Sequence, residues 1–259
     1  MISEKIIEAF SLPPERVGKE IQSDTQKELT GKELNLLRSE FPDFGNWIKG
    51  KTVVDFGCGL GFQTAALANA GAEMVLGLDV NEQYIDYANR YTRECAENKD
   101  KVLFTVDYKG QERKYDAVIS QNAMEHYTKP DEVLESMKNL IHEKGSLMIT
   151  FGPPWYAPYG SHMHFFCKLP WLNVLFPEEA VMRVRNNYRN DGAKRYEEVE
   201  SGLNKMSLSR FENLCRSHKL CVVYKKYSCI KGLNFLATIP FLREFFVNRV
   251  TVVLNYSHQ

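Results

Sequence analysis

No window of about 18 uncharged apolar residues occurs in this 259-residue chain, so no segment reads as a membrane span. The nearest approach, 232–239, is short and is soon followed by Arg243 and Glu244. Residues 1–10 interleave Glu4, Lys5 and Glu8 with apolar residues and lack the continuous apolar stretch of a secretory signal. There is no charge excess of either sign, because Lys plus Arg equals Asp plus Glu at 33 each. That excludes the sustained basic track a nucleic-acid binder needs. The six cysteines, Cys58, Cys95, Cys167, Cys215, Cys221 and Cys229, include no CxxC pair and read as reduced thiols rather than a disulfide framework. Internal repeats and low-complexity segments are also missing. Together these absences predict a cytoplasmic chain without nucleic acid or stable membrane insertion, acting as a monomer or homodimer.

What is present is an ordered alternation. From 51 to 151, short β-branched runs alternate with helical ones, the arrangement of a parallel sheet covered on both faces. Strands are expected at 52–56, 73–79, 102–106, 115–120 and 146–151, with helices at 63–70, 82–96 and 131–141. Asn81 and Pro130-Asp131 supply helix starts, and Gly71 and Gly145 supply stops. Residues 152–205 break the pattern with prolines, aromatics and a mixed-charge tract. A helix at 207–217 and strands at 220–228 and 249–255 then complete the sheet, bridged by the apolar stretch 233–246, for which burial against the sheet is the simpler expectation and a lipid surface or a second subunit the alternatives. The division expected is an N-terminal helical cap (1–46), a core (47–151), a cap insertion (152–205) and a C-terminal completion of the sheet (206–259).

The first strand leads into Val53-Val54-Asp55-Phe56-Gly57-Cys58-Gly59-Leu60-Gly61-Phe62, and a second strand ends at Asp79. Glycines at 57, 59 and 61 let a backbone turn approach a ligand, and an acid about twenty residues on can accept hydrogen bonds from ribose hydroxyls. An evenly spaced D-x-G-x-G-x-G led by Asp55 differs from the GxGxxG of dinucleotide binders. It resembles motif I of class I S-adenosylmethionine-dependent methyltransferases, the type 11-like small-molecule enzymes in particular. The resemblance spans about 47–217. It implies a Rossmann-like α/β fold: a seven-stranded, mostly parallel sheet with helices on both faces and the last strand antiparallel, with caps at the N-terminus and after strand five. It implies S-adenosyl-L-methionine as cofactor, held by Asp55, Gly57, Cys58, Gly59 and Gly61, by Asp79 with Val80 at the ribose, by Asp107 at the adenine amino group, and by Gln121 and Asn122 at the methionine end.

The segment Asn122-Ala123-Met124-Glu125-His126-Tyr127 follows the fourth strand, which faces cofactor and acceptor in this family. His126 is the candidate catalytic base, because methylating a hydroxyl requires removing its proton and a neutral imidazole suits that task near pH 7. Packing or helix capping is its alternative role. Downstream, 152–166 is dense in aromatics and histidines. Trp155, Tyr156, Tyr159, His162 and His164, with Glu125, are candidate acceptor contacts, and if the loop is extended His162 and His164 face the same way. The alternative is that they glue the insertion to the sheet. Small-RNA 2′-O-methyltransferases and ubiquinone-pathway O-methyltransferases carry E-x-x-E-H at this helix start and bind a divalent metal. Here Asn122 replaces the first glutamate, and no metal is assigned. Arg183, Arg185, Arg189, Lys194 and Arg195 alternate with acids and read as a solvated face rather than an anion site. The expectation is O-methylation of a small-molecule acceptor. Amine or carbon methylation, a non-catalytic cofactor-binding scaffold and an NAD-dependent oxidoreductase are the alternatives.

Overall fold

In the computed structural model, residues 2–21, 31–95, 97–108, 114–199 and 202–257 are described. Parts of the expected caps, the side chain of Cys95, and residues 109–113 lie outside them.

Strand β1 (Thr52–Phe56) is buried along its whole length, as an apolar run without alternation must be in a sheet covered on both faces. It is an interior strand of a seven-stranded sheet with β2 (Met74–Leu78), β3 (Val102–Thr105), β4 (Tyr115–Gln121), β5 (Ile141–Phe151), β6 (Leu220–Cys229) and β7 (Val247–Tyr256) in the order β3-β2-β1-β4-β5-β7-β6. The pairs among β1 to β5 are parallel, and β7 runs antiparallel between β5 and β6. The strand order runs outward from β1 to β3 on one side and through β4 to β5 on the other. That places the crevice for a ligand at the carboxyl ends of β1 and β4.

One face of the sheet packs Val54, Val118, Ile149, Phe151, Val250 and Val252 against the Pro130–Leu140 and Leu208–Ser217 helices. The other packs Val53, Ile119, Met148 and Val253 against Leu37, Phe41, Phe44 and Ile48 of the N-terminal helices and against Leu67 of the Phe62–Asn69 helix. Strand β5 begins at Ile141, five residues before its expected start, so Gly145 lies inside the strand and does not stop a helix. A side chain at Gly145 would meet Ile141 Cβ at 2.8 Å and the Tyr115 carbonyl at 2.9 Å, which explains the glycine.

A third cluster joins distant parts of the sequence. Ile7 and Val17 pack with Met163, Phe166, Leu172, Val181, Val184, Tyr196 and Leu203. Leu12 N donates to Phe166 O at 2.7 Å, and Ser11 pairs with Cys167 in an isolated bridge. The N-terminal helix and the insertion thus share one small core. Arg185 is buried and grips both carboxylate oxygens of Asp191, holding that carboxyl down to about 2. Arg183 is paired with Glu4 and Lys205 with Glu178. These cations are committed to internal acids, so the mixed-charge tract partly builds the insertion and is not simply a solvated face.

The bridge between β6 and β7 also departs from expectation. No residue of its 234–238 and 240–246 helical segments is buried, and its apolar side chains only partly cover the sheet.

The close approach of helix and strand at the glycine loop depends on Gly61. With φ at +81°, a Cβ there would meet Ala88 at 2.7 Å and the Phe104 ring at 2.8 Å. Gly61→Ala is expected to cost about 2–4 kcal/mol of stability from backbone strain and overpacking, read by urea denaturation. An unchanged midpoint would contradict this packing role.

Candidate active site

The loop that leaves β1 is built on its own acid. Asp55 is buried and accepts from Gln63 Nε2 at 2.6 Å and Thr64 Oγ1 at 2.7 Å, tying the strand end to the first turn of the next helix. Burial raises its carboxyl to about 6, against those two hydrogen bonds. Asp55 therefore lies beneath the loop, as do Gly61, packed on Ala88 and Phe104, and Cys58, whose buried thiol is pushed far up by desolvation. Gly57 and Gly59 take left-handed φ values of +81° and +52°. A Cβ at Gly59 would point into open space, the geometry of a backbone surface left bare for a ligand.

Asp79 follows β2 and turns back to this loop, its Oδ2 accepting from Gly59 N at 2.9 Å and its Oδ1 from Asn81 N at 2.9 Å. Beside it is a cavity of about 120 Å³ with mostly apolar walls, lined by Phe56, Gly57, Leu78, Asp79, Val80, Val106, Tyr108, Tyr127 and Val133. Gly57, Asp79 and Val80 of the expected set meet there. Asp107, exposed, lies between the lining residues Val106 and Tyr108. Tyr108, Tyr127 and Val133 escaped sequence reading, although Tyr127 adjoins His126 and its ring meets Phe56 edge-on at 6.0 Å.

Beyond β4 the chain turns sharply. Gln121 ends the strand with a buried Oε1 that has no partner among the described residues. Asn122 has φ +51° and donates its N–H to Thr150 O at 2.7 Å. Glu125 is buried and accepts from Gly152 N at 3.1 Å through Oε1, while its Oε2 has no partner among the described residues. Burial raises the Glu125 carboxyl, opposed chiefly by His126. Asn204, at the end of the insertion, fastens the turn: its Nδ2 donates to Met124 O and Tyr127 O at 2.8 Å each, and its backbone N to Glu125 O at 3.0 Å. Its only sequence signal was its position at the junction of insertion and core.

The aromatic loop is not extended. Hydrogen bonds from Gly160 N to Ala157 O and from His162 N to Tyr159 O wind it into turns, with His162 at φ +56°. His162 is consequently half-buried and His164 exposed, so the expected common facing of the two does not hold. The His162 ring lies 5.3 Å from that of His126. Tyr159 and His164 face each other at 6.4 Å, Trp155 packs on Tyr196 within the insertion's core, and Tyr156 turns outward to Phe245. Among the described residues, no group of three or more His, Cys, Asp or Glu is placed to hold a metal ion. A larger cavity, about 580 Å³ beside Trp47, Lys51, Asp116 and His142, adjoins the start of β1 and β4. It is at the wrong end of the strands for a site built on their carboxyl-terminal loops.

Residues 48–152 match the family model described as a methyltransferase domain. This segment is a class I S-adenosylmethionine-dependent methyltransferase domain. A ubiquinone biosynthesis O-methyltransferase of Paraburkholderia phytofirmans is 31% identical over 122 residues, covering 44% of this chain and 49% of the relative. The chain thus spans about half the length of that curated relative. In fold, it is similar to a magnesium protoporphyrin IX methyltransferase of Synechocystis with bound SAH, at TM-score 0.54 and 16% identity, over 97% of this chain and 98% of that one. A methyltransferase from Mesorhizobium loti gives TM-score 0.56 at 16% identity, over 88% and 100%. The methyltransferase domain fits its cofactor here: a bare glycine backbone, an acid at the end of β2 and an apolar slot adjoin one another.

Two outcomes test this geometry. Gly59→Val is expected to weaken S-adenosylmethionine binding by at least about tenfold, since a branched side chain would fill the open space, while the protein still folds. Calorimetric titration showing unchanged affinity would remove the loop from the site. For Asp55, the native carboxyl keeps its proton to about pH 6, whereas the unfolded chain releases it near 3.8. Its contribution to stability is therefore present at low pH and lost as pH rises through that window, on the order of 3 kcal/mol. Stability profiles of wild type and Asp55→Asn should diverge between pH 4 and 6.5, and parallel profiles would contradict the shift.

Proposed function

We propose that this chain transfers a methyl group from S-adenosylmethionine to a hydroxyl oxygen of a small-molecule acceptor. The observation that carries this reading is the tautomer imposed on His126. Its Nδ1 lies 2.8 Å from Gly202 O, and a carbonyl oxygen only accepts, so Nδ1 bears a proton and the neutral ring carries its lone pair on Nε2. His162, 5.3 Å away ring to ring, is held neutral: burial, then the neighbouring His126, lowers it to about 4. It donates from Nε2 to Pro153 O at 3.3 Å by the same logic. The two imidazoles are adjacent at the carboxyl end of β4, where a reaction that must remove a proton can use one as base.

When bound, the cofactor supplies an electrophilic methyl group on a sulfonium. In this reading Gly57 and Gly59 let the backbone approach it, Asp79 accepts from the ribose hydroxyls, and Val80, Val106, Asp107 and Tyr108 border the adenine. Gln121 and Asn122 attend the methionine end. Glu125, His126 and His162 meet the acceptor. With the neutral ring, His126 Nε2 would accept the proton of the acceptor hydroxyl as that oxygen is methylated. Trp155, which packs within the insertion, is assigned a structural part. The insertion and the N-terminal helix, sharing one core, form the acceptor cap. The curated relative's name, an O-methyltransferase, supports oxygen as the acceptor atom.

The test is a screen of phenols, alcohols, amines and carbon acids with methyl-labelled cofactor, the methylated atom being read by NMR. With the acceptor in hand, His126→Ala is expected to lower kcat by about 10²–10⁴-fold with cofactor affinity retained. Equal turnover, or a product methylated on nitrogen or carbon, would overturn the oxygen assignment.

A further inference from the structure

The connection between β6 and β7 presents apolar side chains on two sides. Leu236, Ala237 and Phe246 pack inward on the main core. Leu233, Phe235, Ile239 and Phe241 point outward, and the two phenylalanines are 64% and 72% exposed. A run of rings extends from Phe241. Phe241 lies 5.3 Å from Phe245, and Phe245 lies 5.9 Å from Tyr156 of the segment after β5. Folding leaves this much clustered aromatic surface in water only at a cost that a docking partner would relieve.

Its charges indicate the partner. Between 229 and 242 the only charged residue is Lys231, which is exposed. The nearby acids are turned to internal work. Glu212 accepts from Arg243 and from Tyr227 Oη, and Glu244 accepts from Leu208 N and Ser209 N at the start of the Leu208–Ser217 helix. The backbone is largely satisfied in short turns, Leu236 N to Leu233 O, Ile239 N to Leu236 O and Arg243 N to Ile239 O. An apolar tip with a cation, no outward carboxylate of its own and a hydrogen-bonded backbone meets the requirements of an interfacial anchor.

We infer that residues 230–246 dock this protein reversibly on an anionic lipid bilayer, with Phe235 and Phe241 seated among the acyl chains and Lys231 at the headgroups. Pairing two copies through the same face would bring two Lys231 cations to one interface with no carboxylate from either segment to answer them. Tyr156 belongs to the loop that leads to His162, so the docked surface and the proposed acceptor contacts share one segment of chain. That link rests on the proposed function, whereas the docking does not.

The experiment is co-sedimentation of the full chain, without cofactor or acceptor, with vesicles of phosphatidylcholine alone and of phosphatidylcholine and phosphatidylglycerol in equal parts. The wild type is expected to pellet with the mixed vesicles. The double variant Phe235→Ser, Phe241→Ser should bind them at least about tenfold more weakly, with unchanged circular dichroism and S-adenosylmethionine affinity. Lys231→Glu should weaken binding to the mixed vesicles only. Absence of binding by folded wild type, equal binding by the double variant, or a dimer in sedimentation velocity that the double variant abolishes would overturn the inference. Failure of the methyl-transfer reading would leave this readout unaffected, since vesicle sedimentation involves no turnover.

Discussion

The site depends on one turn, residues 122–127, and on the hydrogen bonds that hold it from two sides. From the sheet, Tyr127 Oη joins Ser120 Oγ at 2.9 Å and Phe56 O at 3.3 Å, and Glu125 accepts from Gly152 N. From the insertion, Asn204 holds three backbone carbonyls and Gly202 O fixes the His126 ring. A buried turn carries polar backbone groups that must be paired, and here the pairing is supplied by the end of the insertion. The glycine loop and the histidines are thereby coupled to one element, because Tyr127 packs on Phe56 at the mouth of that loop.

This arrangement explains why the chain has an insertion with a core of its own. Its histidine contacts demand a rigid support, and the 152–205 region achieves one by drawing in the N-terminal helix, by the buried Arg185–Asp191 pair and by stacking Phe166 on Tyr188 at 4.8 Å. The ion pair is bidentate and planar, so it fixes direction as well as charge. On the far side, the 230–246 bridge leaves its aromatics in solvent while its inner face completes the core. The same segment thus serves the sheet and offers a surface.

Much of the sheet was legible in the sequence because parallel strands buried on both faces are continuous apolar runs, and because the glycine pattern after Asp55 has a specific spacing. Strand β1 matches its expected bounds, and β2, β3 and β4 differ by a residue or so. What sequence could not supply was side-chain direction. Asp55, Cys58 and Gly61 share a motif with Gly57 and Gly59 yet face the packed side of the loop, Gly61 against Ala88 and Phe104 from distant elements and Asp55 against Gln63 and Thr64. His162 and His164 have the spacing of one face, but local turns separate them. Asn204 and Tyr108 carry no motif at all. Their positions arise from long-range closure, which periodicity does not encode.

The central claim is that the loop from Gly57 to Gly61, with Asp79, holds S-adenosylmethionine. Isothermal titration of the full chain with S-adenosylmethionine, S-adenosylhomocysteine and NADH tests it most directly. Saturable binding of the first two, with no heat from NADH, is the predicted result. A folded protein that binds NADH, or that binds neither of the sulfur-containing ligands, would contradict the account.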